Sequence, residues 1–275
     1  MGASTSLQIP MMLLVSEVGG TGKSMLLKLL ELIIGMEKTS PVQLANLKDR
    51  GILINIASKS LVVDYDVNLD CILDNVDVLK NLITGEGMEQ RVVGAKQTIN
   101  VRYRGAVAGA ANGMPSFKRY DSGLDRRILI VPTTNKAITK TEVVREYETI
   151  LFQKEGAGIV HKMVEAFKRM LVAGELVIPQ VCQEAKEQFR SEVDVVSTWF
   201  AEKFEFDAQA KLVQIKDLYH GYSAWCSVNG HNAVSATRFA KDLKSKAMIA
   251  GEGYASMMKG CAAVRVADKN KIGFN

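Results

Sequence analysis

The feature that most constrains this chain is the stretch Met11–Gly35, MMLLVSEVGGTGKSMLLKLLELIIG. It opens as a short apolar strand (Met11–Val15), passes through a glycine-rich turn (Glu17–Lys23), and continues as a helix that is apolar almost all round and stops at Gly35. Strand, glycine turn and helix in that order make a phosphate-binding P-loop. Glycines at 19, 20 and 22 allow left-handed backbone, so successive N–H groups can close on an anion. The helix that follows aims the positive end of its dipole at the same point. In such a loop Val18, Gly19, Gly20, Thr21 and Gly22 cradle phosphate, Lys23 reaches the β- and γ-phosphates, and the Ser24 hydroxyl binds Mg²⁺. The expected ligands are therefore ATP and Mg²⁺. One position departs from the pattern: G-x-x-x-x-G-K-[ST] asks for glycine where this chain has Glu17.

A chain of 275 residues holds one large or two ordinary domains. With 47% hydrophobic and 24% charged residues it has a full core, which excludes a disordered protein. No apolar run reaches the roughly 18–20 residues of a membrane span, because Lys28 and Glu31 interrupt the longest. The start, MGASTSLQIP, lacks the basic and apolar regions of a signal peptide. Its Met-Gly opening superficially fits a myristoylation signal, but nothing polybasic follows to complete an anchor. The four cysteines form no C-x-x-C, so neither a zinc site nor a disulfide framework is implied. His220, Cys226 and His231 read as ordinary residues of a helix and its exit. A cytoplasmic protein without membrane partners is expected. The net charge of +5 matters less than its placement. Between Arg91 and Arg127 eight basic residues face two acidic ones, Asp121 and Asp125. That zone is either a solvated face or a surface for nucleic acid or a partner's bound nucleotide.

After Gly35 comes a loop with a short helix, then a connector into a buried strand, Ser60–Val63. A strand ending in acid downstream of a P-loop is where a second nucleotide-binding element belongs: a carboxylate there can hold Mg²⁺ or polarise the attacking water. Asp64 and Asp66 both qualify, and both point to one face because Tyr65 separates them; either can instead simply start a turn. Leu73–Ile83 reads as an amphipathic helix. A β-hairpin follows, Gln90–Val93 and Thr98–Tyr103, presenting Lys96 at its tip. Gly105–Ala110 is a strand of very small residues, so something packs closely on it. It leads to Asn112, which could orient the attacking water from a strand placed between the P-loop and the acidic strand, or merely make an Asn-Gly turn. Arg126 and Arg127 precede a last apolar strand, Ile128–Val131, closed by Pro132. They are two solvated cations, or in a ring ATPase the source of an arginine finger.

This order of blocks — LLVSEVGGTGKS, SLVVDYD, LKNLITGEGMEQR, AANGMPSF and SGLDRRILIVP — resembles the superfamily 3 helicases, in particular the AAA+ helicase part of the phage-satellite, plasmid and poxvirus type primase-helicases. The resemblance continues more weakly through IPQVCQEAKEQFRSEVDVVSTWF and LYHGYSAWCSVNGHNAVSATRFAKDL. It implies Lys23 and Ser24 at phosphate and Mg²⁺, Asp66 (or Asp64) as the Walker B acid, Asn112 as sensor 1, and Arg126 or Arg127 as the trans-acting finger. Lys96, flanked by Arg91 and Arg102, would sit on the hairpin that grips DNA in the pore of a ring. Two departures matter: Glu17 would weaken nucleotide binding, and Asp where the family usually shows Glu would slow hydrolysis. The family's N-terminal primase and collar are absent from this sequence, so it reads as a fragment or as a short protein that works with a separate primase.

Beyond Pro132 the pattern turns helical: two helical stretches within Thr141–Ala173 around Gly156 and Gly158, then a helix from Pro179 through Phe204. Ile215–Val228 and Ala236–Ala247 are two amphipathic helices, followed by a glycine-punctuated alternation that suggests a two-stranded wing. Arg238, Lys241, Lys244 and Lys246 fall on or near the second helix, as in a winged helix, or as solvated lysines on a small helical cap. The expectation is an α/β chain: a AAA+ P-loop core with a mostly parallel sheet over residues 1–188, and a winged-helix domain over 189–275. Its expected activity is that of an ATP-driven DNA helicase, a homo-oligomeric, hexameric ring on single-stranded or forked DNA. A AAA+ loader or nucleotide switch, and a nucleic-acid-binding module with a weakened ATPase, are the alternatives.

Overall fold

The structure, a computed structural model, describes residues 9–49, 51–67, 76–91, 98–113, 122–133, 136–139, 141–251, 255–258 and 261–269. The chain divides into two compact units, Met1–Phe189 and Arg190–Asn275.

In the first unit, the run at Met11–Ser16 is strand β1, and helix α1 spans Lys23–Ile34. Next come β2 (Thr39–Pro41), α2 (Ile52–Ile56), β3 (Leu61–Asp64) and α3 (Val76–Thr84). The strands β4 (Met88–Arg91) and β5 (Thr98–Val101) pair antiparallel, Met88 opposite Val101 and Arg91 opposite Thr98. Strand β6 (Ala106–Asn112), the short helix α4 (Ser122–Asp125), β7 (Ile128–Pro132), the long helix α5 (Tyr147–Ala173) and α6 (Gln180–Val193), whose last four residues belong to the second unit, follow.

The central sheet runs β2-β3-β6-β1-β7. Every pairing in it is parallel. A parallel sheet is covered on both faces, which is why β1 and β3 read as continuous apolar runs and do not alternate. Leu14, Leu27, Leu61, Val63, Ala108 and Ala110 form one core cluster, with Leu30, Ile34 and Val131 packed against it, so α1 lies directly on the sheet. The small residues of β6 have a definite cause. A Cβ on Gly109 would come 2.5 Å from Val67 Cγ2 and 3.1 Å from Met11 Cε, so neighbours occupy the space a side chain would need.

The second unit contains α7 (Val195–Lys203), β8 (Phe204–Phe206), β9 (Leu212–Gln214), α8 (Ile215–Val228), α9 (Ala236–Ala250), β10 (Ala255–Met258) and β11 (Cys261–Asp268). Strand β11 pairs antiparallel with β10, β9 and β8. Its core is aromatic: Trp199 meets Tyr222 and Phe239 edge-on with ring centroids 5.7 and 5.6 Å apart, and Tyr222 stacks on Phe239 at 4.8 Å.

Several local expectations change. Strand β2 and helix α2 occupy segments that read as loop and connector. The helix expected over Leu73–Ile83 is described over Val76–Thr84, its expected start at residues 73–75 lying outside the described residues. Tyr147–Ala173 is one uninterrupted helix, not two; Gly156 is buried beneath the Phe152 ring one turn back, 2.9 Å from where its Cβ would stand, and the helix absorbs the glycine penalty of about 1 kcal/mol. The helix expected from Pro179 to Phe204 breaks at Asp194, whose side chain accepts from Ser197 N at 3.0 Å and so caps a new helix, α7; Phe204 begins a strand. No helix among the described residues is long and apolar enough to cross a membrane.

Candidate functional site

The carboxyl ends of β1, β3 and β6 open on one cavity of about 480 Å³, lined by Gly19, Gly20, Thr21, Gly22, Lys23, Ser24, Met25, Tyr65, Asp66, Ala110, Asn112, Ile138 and Val143. Open parallel sheets place ligands at this edge. The loop from β1 to α1 turns through left-handed backbone at Gly20 (φ 72°) and Gly22 (φ 88°), as expected, whereas Gly19 is not left-handed. Gly22 caps α1 without a side-chain bond, and the first turn carries no acid. The first-turn amides thus face the cavity with no side chain answering them, the condition in which a helix start holds an anion.

Lys23 is buried at 7% exposure, yet a buried ammonium needs acceptors. It donates to Ser16 Oγ at 2.5 Å, Val18 O at 3.3 Å and Thr21 Oγ1 at 3.4 Å. Ser16 Oγ in turn donates to Val18 O at 2.7 Å and lies 3.1 Å from Thr21 Oγ1. Val18 therefore enters the site through its carbonyl. Glu17 is exposed and outside the cavity lining. Its φ is not positive, since Glu146 is the one non-glycine residue with positive φ among those described. Position 17 thus has no conformational need for glycine.

The two aspartates, equivalent in sequence, differ in place. Asp64 is buried, and its carboxylate accepts from Leu44 N at 2.7 Å and from Asp66 N at 3.1 Å. Burial pushes its pKa up against those two bonds. It lines a second cavity of about 300 Å³ together with Pro41, Val42, Gln43 and Val63, and not the first. Asp66 lines both. Asn112 ends β6, in register with Ser16 at the end of β1, and β6 lies between the P-loop strand and the acidic strand.

The arginines also part company. Arg127 Nη1 donates to Gly123 O at 2.7 Å and Nη2 lies 3.9 Å from Glu86 Oε1, while its Nε is buried without a partner among the described residues. Arg126 is exposed. It projects from a turn fixed by Lys186, which donates to Asp125 O at 2.5 Å and Ile128 O at 3.2 Å. Neither arginine lines the cavity. Arg102 is exposed just past β5. Lys96 and the side chain of Arg91 lie outside the described residues.

Sequence reasoning missed the far wall, Ile138 and Val143, where Ile138 N donates to Gly20 O at 3.0 Å. The only local signal was apolar residues in a polar stretch after Pro132. It also missed Ser16 as the partner of Lys23. Amides, one ammonium, and a hydroxyl beside a carboxylate form a donor set that suits a polyphosphate with a divalent cation.

Residues 14–127 match a protein family of unknown function, DUF5906, and residues 191–256 match the poxvirus D5 protein-like family. Each match covers less than half of the chain. No curated protein sequence matches it. Among solved structures the fold is similar to the C-terminal region (305–718) of NrS-1, with TM-score 0.52 and 15% identity over 96% of this chain and 68% of that one. A second structure of that region aligns with TM-score 0.48 and 17% identity, over 94% and 67%. JCV helicase bound to a thiazolopyridine compound aligns with TM-score 0.35 and 12% identity, over 67% and 51%. The D5-like match supports a relation to the superfamily 3 helicases without singling out a member.

Proposed function

We propose that the first unit is a AAA+ nucleoside-triphosphatase and that the chain is the motor of a superfamily 3 DNA helicase. The observation that carries the reading is the convergence of Lys23, Ser24, Asp66 and Asn112 on one cavity from the ends of three parallel strands. Gly19–Gly22 wrap the phosphates with backbone N–H groups, and Lys23 exchanges Ser16 and the Val18 carbonyl for the β- and γ-phosphates. Ser24 and Asp66 would hold Mg²⁺, which would supply positive charge to the triphosphate during γ-phosphoryl transfer. Asp66 and Asn112 orient the attacking water. Asp64 is a positioning residue, because both its oxygens already serve backbone amides. Arg126, free of the contacts that hold Arg127, is the finger that enters a neighbouring subunit's site in a hexameric ring.

The β4–β5 hairpin, with Arg91, Lys96 and Arg102, holds the phosphate backbone of single-stranded DNA without reading sequence. The second unit, helix–strand–strand–helix–helix–hairpin in order, is a winged helix. The basic face of α9, with Lys241 and Lys244 exposed and Arg238 half-buried beside Asp242, is its nucleic-acid side. A separate primase is a partner of such a motor.

The test is ATP hydrolysis with and without single-stranded DNA, on protein whose assembly is checked by mass photometry, beside equilibrium binding of a fluorescent ATP analogue. DNA-stimulated turnover by ring-sized particles that is lost in Lys23→Ala is the expected result. Nucleotide binding without strand separation by assembled rings would make the protein a loader or switch. Absence of nucleotide binding by the wild type would overturn the reading.

A further inference from the structure

Among the described residues the buried charged side chains are Lys23, Glu31 and Asp64. The first and last belong to the nucleotide site; Glu31 has no part in it so far. It is 3% exposed and has no ion pair among the described residues, an arrangement that costs free energy unless the carboxylate is hydrogen-bonded. Its partner is the hydroxyl of Tyr65, which donates to Glu31 Oε2. Tyr65 stands between Asp64 and Asp66 and itself lines the cavity.

The segment 64–67 is otherwise tied to the sheet side of the site. Leu44 N and Asp66 N donate to Asp64, and Val67 N donates to Ala110 O at 2.8 Å. Glu31 differs because it sits on α1, whose first turn carries Lys23 and Ser24. It lies seven residues past Ser24, two turns along the same side of the helix. The Tyr65 hydroxyl thus joins the segment that carries Asp66 to the helix that carries Ser24.

We propose that Glu31 and Tyr65 are a positioning pair that holds the Asp66 carboxylate and the Ser24 hydroxyl at the separation a divalent cation requires. The proposal rests on the nucleotide reading above and adds residues to it. Outer partners that orient ligands govern metal affinity more than they govern the rest of the ligand. Tyr65→Phe removes the donor and keeps the ring, Glu31→Leu removes the acceptor, and Glu31→Gln keeps an acceptor without the charge.

The experiment measures Mn²⁺ affinity from the free-Mn²⁺ EPR signal in the presence of a non-hydrolysable ATP analogue. It is paired with the affinity for a fluorescent ATP analogue in EDTA. Tyr65→Phe and Glu31→Leu are expected to weaken Mn²⁺ binding about tenfold while metal-free nucleotide affinity holds, with Glu31→Gln nearer the wild type than Glu31→Leu. Wild-type Mn²⁺ affinity in Tyr65→Phe would overturn the positioning role and leave the nucleotide site standing. Equal losses in both measurements would also overturn it, as general damage to the fold. A wild type that binds neither analogue would remove the nucleotide reading and this proposal with it.

Discussion

Asp194 is where the second unit can be tested by one side chain. Its carboxylate caps α7, accepting from Ser197 N at 3.0 Å and Ser197 Oγ at 2.6 Å, and it meets Lys246 Nζ at 2.7 Å. Lys246 also donates to Ser197 Oγ, so one carboxylate joins the start of α7 to α9, the helix with the exposed basic face. Loss of an Asp cap costs about 1 kcal/mol. The ion pair adds only about 0.5 kcal/mol, because its side chains are 29% and 37% exposed and water screens them. Asp194→Ala should therefore destabilise the unit by about 1.5 kcal/mol, and Asp194→Asn, which keeps the cap acceptor, by about a third of that. Both tryptophans, Trp199 and Trp225, lie in this unit, so intrinsic fluorescence during urea unfolding follows it selectively. With a slope of about 1 kcal/mol per molar for a small unit, the Ala midpoint should fall by more than about 1 M. Burial alone would raise the Asp194 pKa, but the Lys246 and Ser197 hydrogen bonds and the Lys246 charge outweigh it and hold the group below the ordinary carboxylate value. Because the folded value is the lower one, the stabilisation is complete above the unfolded value near pH 4 and is lost as pH falls through the folded one. The gap between wild type and Asp194→Ala should be level from pH 8 to 5 and close below about 4. An Ala midpoint indistinguishable from wild type, or an Asn variant as weak as Ala, would refute the capping argument.

Arg126→Ala should abolish ATP hydrolysis at unchanged ATP affinity, whereas Arg127→Ala should lower the thermal midpoint of the first unit by breaking its tie to Gly123; the reverse pattern would exchange their roles. Lys96→Ala should leave basal ATPase near wild type and reduce strand separation at least tenfold, a loss that grows with ionic strength because the contact is to phosphate; a helicase assay across salt concentrations decides it. Glu17→Gly should leave affinity for a fluorescent ATP analogue within about twofold of wild type, since residue 17 neither needs left-handed backbone nor lines the cavity; a large gain in affinity would show that the carboxylate itself repels phosphate.

The parts of the chain that were legible are those whose cause is local. The P-loop strand, its glycine turn and α1 follow from adjacent residues, and the structure sets their ends within one residue of the reading. Helices α8 and α9 follow from one-sided apolar spacing. The rest depends on partners far away in sequence. Thr39–Pro41 is too short and too polar to announce a strand; its pairing with Leu61–Val63 makes it one. Asp64 and Asp66 share a residue type, a spacing and a strand end. They separate only through Leu44, twenty positions back, whose amide occupies Asp64. Arg126 and Arg127 separate only through Gly123 and Glu86. The α7 cap, by contrast, was visible in Asp194 followed by Ser197, and the surrounding helical pattern masked it.

The register of the central sheet has a consequence for how such a site can change. Leu13 and Asp64 both stand opposite Gly109, while Ser16 stands opposite Asn112. Strand β3 therefore stops three residues short of its neighbour β6, a step of about 10 Å, and the second cavity lies beside that shorter end. The depth of the notch is a property of hydrogen-bond register, not of any loop. Substitutions in the loops can retune the chemistry gradually, one side chain at a time. A single inserted residue in β6 would turn every later side chain to the opposite face and carry Asn112 with it. Lineages that kept this sheet could vary what the notch holds far more easily than how deep it is.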